Sequence, residues 1–199
     1  MIRAICFDFD GTLARFRGDL NKLSLTMFKR LGFEDFSPVN LELVRKVYRS
    51  FEYAPEAVTL ESATRKTFAA LGITPQGNIT EICRDFMVDY AAGMQLLPNA
   101  LETLSYFSQQ QKAIITNGPS DVQRAAIKAV NLEQFFQTIV VSGDADVCIA
   151  KPDPRIFQIA CERLGVAPYE TLMIGDRLEL DVEGGISAGL QVMYHPAHP

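Results

Sequence analysis

Two aspartates stand two residues apart near the start of the chain, in Ile5-Cys6-Phe7-Asp8-Phe9-Asp10-Gly11-Thr12-Leu13. On a strand, side chains at i and i+2 share a face, so Asp8 and Asp10 can converge. Gly11 then permits a sharp turn. Three later stretches offer groups of the same kind: Thr116-Asn117-Gly118, Lys151 ahead of Pro152, and Gly175-Asp176 with Asp181 beyond it. If all four carboxylates met, only Lys151 would stand against their negative charge, and the cluster would be costly without a cation. The ligands on offer are all oxygen. That suits Mg²⁺, which keeps its waters and takes one or two carboxylates. A carboxylate is also a nucleophile. Each residue has a plainer reading alone. Thr116 could be a turn residue, Lys151 solvent-facing, and Asp153 and Asp181 helix caps. Their order along the chain gives the set its weight.

Those residues need elements to hold them. The run MIRAICF reads as a strand buried in a sheet, leading straight into Asp8. Further strands are expected at 112–116, 138–142, 171–175 and 190–194. Between them, helices are expected from Pro98 to about Gln110, Pro119 to Val130, Pro154 through Leu164, and Asp181 to Ala188. This alternation predicts an α/β fold with a Rossmann-like parallel sheet covered by helices on both faces. Ligands in such sheets bind beyond the carboxyl ends of the strands, where the polar stretches fall. From Asp19 to Met94 the pattern is helical throughout, with no strand. Leu20, Leu23, Met27 and Leu31 form one stripe, stopped by Gly32. Ser37-Pro38 opens a second helix with Leu43, Val47 and Phe51 as its apolar stripe. Leu60 to Leu71 is a third, and Thr80 caps a fourth through Ile82, Phe86 and Tyr90. The expected division is therefore an α/β core of residues 1–14 and 97–199, with a small all-helical insertion at 15–96.

Composition narrows the function classes. The chain has 199 residues, 48% hydrophobic and 22% charged, as in ordinary globular proteins. A net charge of −5 and the lack of a long basic run argue against a nucleic acid polymer as partner. No apolar stretch is long enough to span a membrane. Arg3 and Asp8 interrupt any signal-peptide core, so a cytoplasmic location is expected. Cys6, Cys83, Cys148 and Cys161 show no paired spacing and are expected to be reduced, structural thiols. Asp144 and Asp146 are expected in a solvated loop, and His195 and His198 in a tail. Phe7 and Phe9 are expected to pack against the sheet.

The stretch FDFDGTL resembles the first signature of the haloacid dehalogenase-like (HAD) hydrolases. Thr116, Lys151-Pro152 and Gly175-Asp176 with Asp181 resemble the other three signatures, in order. The resemblance implies Mg²⁺-dependent hydrolysis of small phosphomonoesters through an aspartyl-phosphate. Asp8 would be nucleophile and metal ligand. Asp10 would be general acid and base, its backbone carbonyl also ligating the metal. Thr116, with the Asn117 and Gly118 backbone, would cradle phosphate. Lys151 would pair with nucleophile and phosphate, Asp176 would bind metal, and Asp181 would orient the lysine or a metal-bound water. The physics agrees. An anionic nucleophile at ~4 Å from an anionic phosphate is repelled by about 4 kcal/mol at an effective dielectric of 20, so the site needs Lys151 and a cation. Neighbouring carboxylates would raise the Asp10 pKa as its role requires.

By the same resemblance the insertion is a helical cap that closes over the substrate, hinged near Ala14 to Gly18 and Gly93 to Pro98. Arg17, Lys22, Arg45, Arg49, Arg65 and Lys66 are its candidate specificity residues. The Thr-Asn-Gly and the stretch from Lys151 to Ala188 look nearest to nucleotide- or sugar-phosphate phosphatases. The expected partner is a small phosphorylated metabolite, and the expected assembly a monomer or homodimer. A phosphomutase or a non-catalytic binding domain are the alternatives. A dehalogenase would need neither Asp10 nor Asp176.

Overall fold

The computed structural model describes residues 1–34 and 37–196. It opens with strands β1 (Ala4–Phe7) and β2 (Ala14–Phe16). Four helices follow, α1 (Leu20–Arg30), α2 (Pro38–Glu52), α3 (Leu60–Ala70) and α4 (Ile79–Gly93). Then come β3 (Met94–Leu96), α5 (Ala100–Tyr106), β4 (Gln111–Thr116), α6 (Ser120–Ala129), β5 (Thr138–Val141), α7 (Pro154–Leu164), β6 (Thr171–Gly175), α8 (Gly184–Ser187) and β7 (Gln191–Tyr194).

The main sheet is parallel, in the order β5-β4-β1-β6-β7. The four residues of β1 are all buried, as a central strand with both faces covered requires. Ile5 and Phe7 pack into one core layer with Leu104 of α5 and Ala126 of α6. Ala4 and Cys6 point the other way, toward Phe157 and Ala160 of α7. Phe7 lies level with Ile114 on β4 and Ile174 on β6. Asp8 therefore emerges where three strands end together. The expected α/β fold, with a helical cap after the first strand, is the one observed.

Several local expectations are corrected. The insertion is not strand-free at its ends: β2 and β3 pair antiparallel, Ala14 opposite Leu96 and Phe16 opposite Met94. Each has three residues, too few to show a period, and the partners are far apart in sequence. The segments expected as hinges are thus bonded to each other. Gly93 has no side chain because the Phe16 ring occupies that space. On α2 the inward face is Leu41, Val44 and Tyr48, one position off the expected stripe; Leu43 is exposed. The cap of α4 is Asn78, accepting from Glu81 N at 3.3 Å, not Thr80. The helix expected from Pro98 spans only α5, and a turn of π-helix, Leu178–Glu183, precedes α8. Asp144 is buried, accepting from the Arg124 guanidinium at 2.6 Å and from Ser120, while Asp146 is exposed. His195 N donates to Gly175 O at 2.8 Å, and His198 lies outside the described residues. All four cysteines are free, and no described helix is long and apolar enough to cross a membrane.

The insertion meets the α/β layers at a second place. Val58 N donates to Gly143 O at 2.9 Å, and Ser120 N donates to Val58 O at 2.8 Å. Leu60 N, at the start of α3, donates to Asp121 Oδ1 at 3.0 Å. A β-carbon on Gly143 would sit 2.7 Å from both Gly118 O and Val58 O. Gly143→Ala is therefore expected to destabilise the protein by about 1–3 kcal/mol, the usual cost of overpacking. Urea unfolding of the two proteins measures it, and equal midpoints would show that this junction yields freely.

Candidate active site

The strand ends bring together charges that lie far apart in sequence. Lys151 Nζ donates to Asp8 Oδ1 at 2.7 Å and to Asp181 Oδ1 at 2.6 Å. All three residues are buried. Burial opposes the Lys151 charge, but Asp8 and then Asp181 overcome it and raise its pKa above the ordinary lysine value. The ammonium is thus held protonated. Asp8 is pushed upward by burial, against the pull of Lys151 and with a further push from Asp181. Its Oδ2 accepts from Thr12 Oγ1 at 3.0 Å. The lysine is placed through its main chain. Asn117 Nδ2 donates to Lys151 O at 2.9 Å, and Lys151 N donates back to Asn117 Oδ1 at 2.8 Å.

Asp176 follows β6 directly. Oxygens of Asp8, Asp176 and Asp181 all lie within 4.8 Å of one another. Asp181 Oδ2 also accepts from Arg177 N at 3.0 Å. Asp176 Oδ1 is buried and has no hydrogen-bond partner. Burial, then the charges of Asp8 and Asp181, raise the Asp176 pKa to about 6. Two glycines leave room for this gathering. A side chain on Gly11, at φ +93°, would overlap the Asp176 carboxylate, and one on Gly175 would overlap that of Asp181. An oxygen-only cluster with one orphaned buried oxygen fits a hard divalent cation such as Mg²⁺.

Asp10 stands apart from this cluster. Its Oδ1 accepts from Tyr90 Oη at 3.2 Å and its Oδ2 from Gln123 Nε2 at 3.1 Å. Burial and then the Asp8 charge raise its pKa to about 6, against the lowering effect of these two donors. Thr116 Oγ1 in turn donates to Gln123 Oε1 at 3.2 Å. Thr116 and Asn117 stand at the end of β4, beside the cluster. Gly118 has its N–H already donated to Ser142 Oγ at 2.9 Å.

Nothing in the sequence marks Tyr90 or Gln123 for this role. Both sit on amphipathic helices, where a buried polar residue looks like any other inward position. Spacing within their own helices carries no sign of Asp10.

The sequence and the fold both have known counterparts. Residues 2–189 match the family model described as haloacid dehalogenase-like hydrolase. The N-acylneuraminate-9-phosphatase of Homo sapiens is 28% identical over 215 residues, covering 96% of this chain and 80% of that one. Pyrimidine 5'-nucleotidase YjjG of Escherichia coli (strain K12) is 31% identical over 205 residues, covering 98% and 86%. Among solved structures, the HAD-hydrolase YfnB from Bacillus subtilis bound to magnesium superposes with a TM-score of 0.70 at 25% identity, covering 97% of this chain and 88% of that one.

Removing the buried cation isolates its part in stability. Lys151→Met would leave Asp8 and Asp181 facing each other unpaired. In chelator at neutral pH the variant is expected to lose about 3–5 kcal/mol. Carboxyls whose folded pKa is raised are penalised above that pKa and relieved below it. The deficit relative to the parent should therefore shrink as pH falls toward 5. Paired urea titrations at the two pH values measure it; a deficit that does not change with pH would argue against buried charge as the cause.

Proposed function

This chain belongs to the haloacid dehalogenase-like hydrolase family, and on that premise we propose that it hydrolyses small phosphomonoesters through an aspartyl-phosphate on Asp8, with Mg²⁺ bound. The observation that carries the reading is the contrast between two carboxyls two residues apart. Asp8 faces a buried ammonium at 2.7 Å, while Asp10 faces neutral donors and has a pKa of about 6. One is set up to attack and the other to carry a proton. A relative named as a phosphatase and another named as a nucleotidase support the choice of a phosphate ester.

The substrate phosphoryl group would lie against Asp8 with the Lys151 ammonium beside it and the Thr116 hydroxyl and Asn117 backbone around it; the Gly118 N–H, already donated to Ser142, is not open to it. A carboxylate oxygen of Asp8 attacks phosphorus, and the bond to the ester oxygen breaks. Asp10 delivers its proton to that oxygen, and the alcohol leaves. A water then attacks phosphorus and gives its proton to Asp10, which restores Asp8 and frees inorganic phosphate. Asp181 orients Lys151 throughout. Mg²⁺, held by Asp8 and Asp176 with the Asp10 main chain and Asp181 nearby, would offset negative charge on the phosphoryl oxygens. A dehalogenase would have no use for a proton-carrying Asp10 or for the orphaned oxygen of Asp176.

Phosphate release from a panel of phosphorylated metabolites tests the reading. Asp8→Asn should show no turnover, and excess chelator should reduce the parent to that same baseline. Activity persisting in either case would remove the corresponding part of the mechanism.

Tyr90 and Gln123 act through Asp10 and are positioning residues. Tyr90→Phe keeps the ring that packs on Phe16 and Phe86 and removes only the hydroxyl. Good leaving groups need little acid assistance. Its kcat/KM should fall about tenfold for alkyl phosphates, roughly the loss of one hydrogen bond to a charged group, and change far less for p-nitrophenyl phosphate. An equal fall for both would indicate a merely structural role.

A further inference from the structure

A cavity of about 260 Å³ opens among α1, α2, α3, α4 and the start of α6. Tyr90 and Gln123, the two residues bonded to Asp10, form part of its wall. Asp10 is the proposed proton donor to the leaving alcohol, so the cavity is where that alcohol would lie. This role for the cavity rests on the phosphatase reading.

Much of the cavity is apolar, with Met27, Phe28, Val44, Leu60 and Phe86 buried around it. Its charged groups come from one face of α2. Arg45, Arg49 and Glu52, at i, i+4 and i+7, all line it. Glu52 is the least exposed of the three and marks the inner end; burial chiefly raises its carboxyl to about 7, against the pull of Arg49 and with a smaller push from Asp10. At ~1.5 Å of rise per residue, Arg49 lies about 4.5 Å and Arg45 about 10 Å farther along the helix axis. Both arginines are exposed at the mouth, where Lys46 and Glu42 border the adjoining surface hollow. Arg45 Nη2 reaches across to α1 and donates to the neutral Asn21 Oδ1 at 2.8 Å. Among the described residues, neither Arg45 nor Arg49 forms an ion pair with a carboxylate, although Glu42 and Glu52 lie on the same helix. In a chain of net charge −5 this leaves a positive rim on an apolar pocket, about one to two helical turns along α2 from Glu52.

We propose that the alcohol part of the substrate carries a second oxyanion, a carboxylate or a further phosphate, which Arg49 and Arg45 bind at the cavity mouth. The helix acts as a ruler. The second anion must be separated from the ester oxygen by a body of several carbons, which the apolar wall covers. A short phosphorylated acid cannot span from the ester oxygen to Arg49 and Arg45, so its carboxylate gains nothing from them.

The test compares kcat/KM within matched pairs. Glucose 6-phosphate is set against 6-phosphogluconate, and fructose 6-phosphate against fructose 1,6-bisphosphate, with phosphoglycolate as the short acid. At least one long dianionic pair member should be favoured about tenfold or more, a modest ratio because the guanidinium groups are solvated. Which pair shows it distinguishes carboxylate from phosphate. In Arg45→Gln/Arg49→Gln the ratio should collapse toward one, and in the double lysine variant it should partly return. Equal rates within every pair, a preference for phosphoglycolate, or a preference that survives the glutamine substitutions would each overturn the proposal. Turnover of p-nitrophenyl phosphate by the parent protein separates the two levels. If it occurs without any anion preference, only the second-anion site falls. If no ester at all is hydrolysed, the phosphatase reading falls and takes that site with it.

Discussion

A lysine ammonium with almost no contact with water, held between two carboxylates, is the interaction on which the rest of the site depends. Three buried charges carry a large desolvation cost, recovered only through close geometry. The surroundings supply it. Lys151 is fixed through its main chain by Asn117, from the end of a different strand. Asp181 is fixed by the Arg177 N–H, and Gly175 leaves it the space. Asp8 hangs from the central strand, its own N–H donated to β6. Replacing the trio with apolar groups would often cost a protein nothing. Its presence fits the proposed use of Asp8 as a nucleophile kept beside a positive charge.

That requirement explains the division between the two signature aspartates. They leave the same strand end, yet one is drawn into the charge cluster and the other is held by neutral donors from outside it. Tyr90 comes from the insertion and Gln123 from α6. Asp10 is therefore tied to both the strand ends and the helices above them. The cavity those helices enclose runs along the same two residues, so what fills the pocket touches the groups bonded to Asp10.

The parts legible in the sequence are those with strong local signatures. The buried strands announce themselves as short apolar runs, and the site residues as polar groups at the ends of those runs. Asp8, Lys151, Asp176 and Asp181 do meet, as the sheet topology demands. Thr116 and Asn117 stand beside them, Asn117 with its side chain turned to the lysine's main chain. Features built from distant partners are not legible. The β2–β3 ribbon joins two three-residue segments whose pairing neither one signals. The inward face of α2 lies one position from the stripe its sequence suggests, because Leu43 and Val44 are equally apolar and only packing chooses between them. Asp144 resembles a solvated loop residue because its partner Arg124 lies on another element.

The junction at Val58 is made of main-chain atoms on both sides, apart from Asp121. A contact of that kind is indifferent to sequence. It demands a glycine at 143 and otherwise constrains only the path of the backbone. The helices that line the pocket can therefore accumulate substitutions, and the pocket can be remodelled, without loosening the seam that keeps them in register with the parallel sheet. The molecule thus pairs a fixed charge cluster with a replaceable pocket wall, and the seam gives that wall its licence to vary.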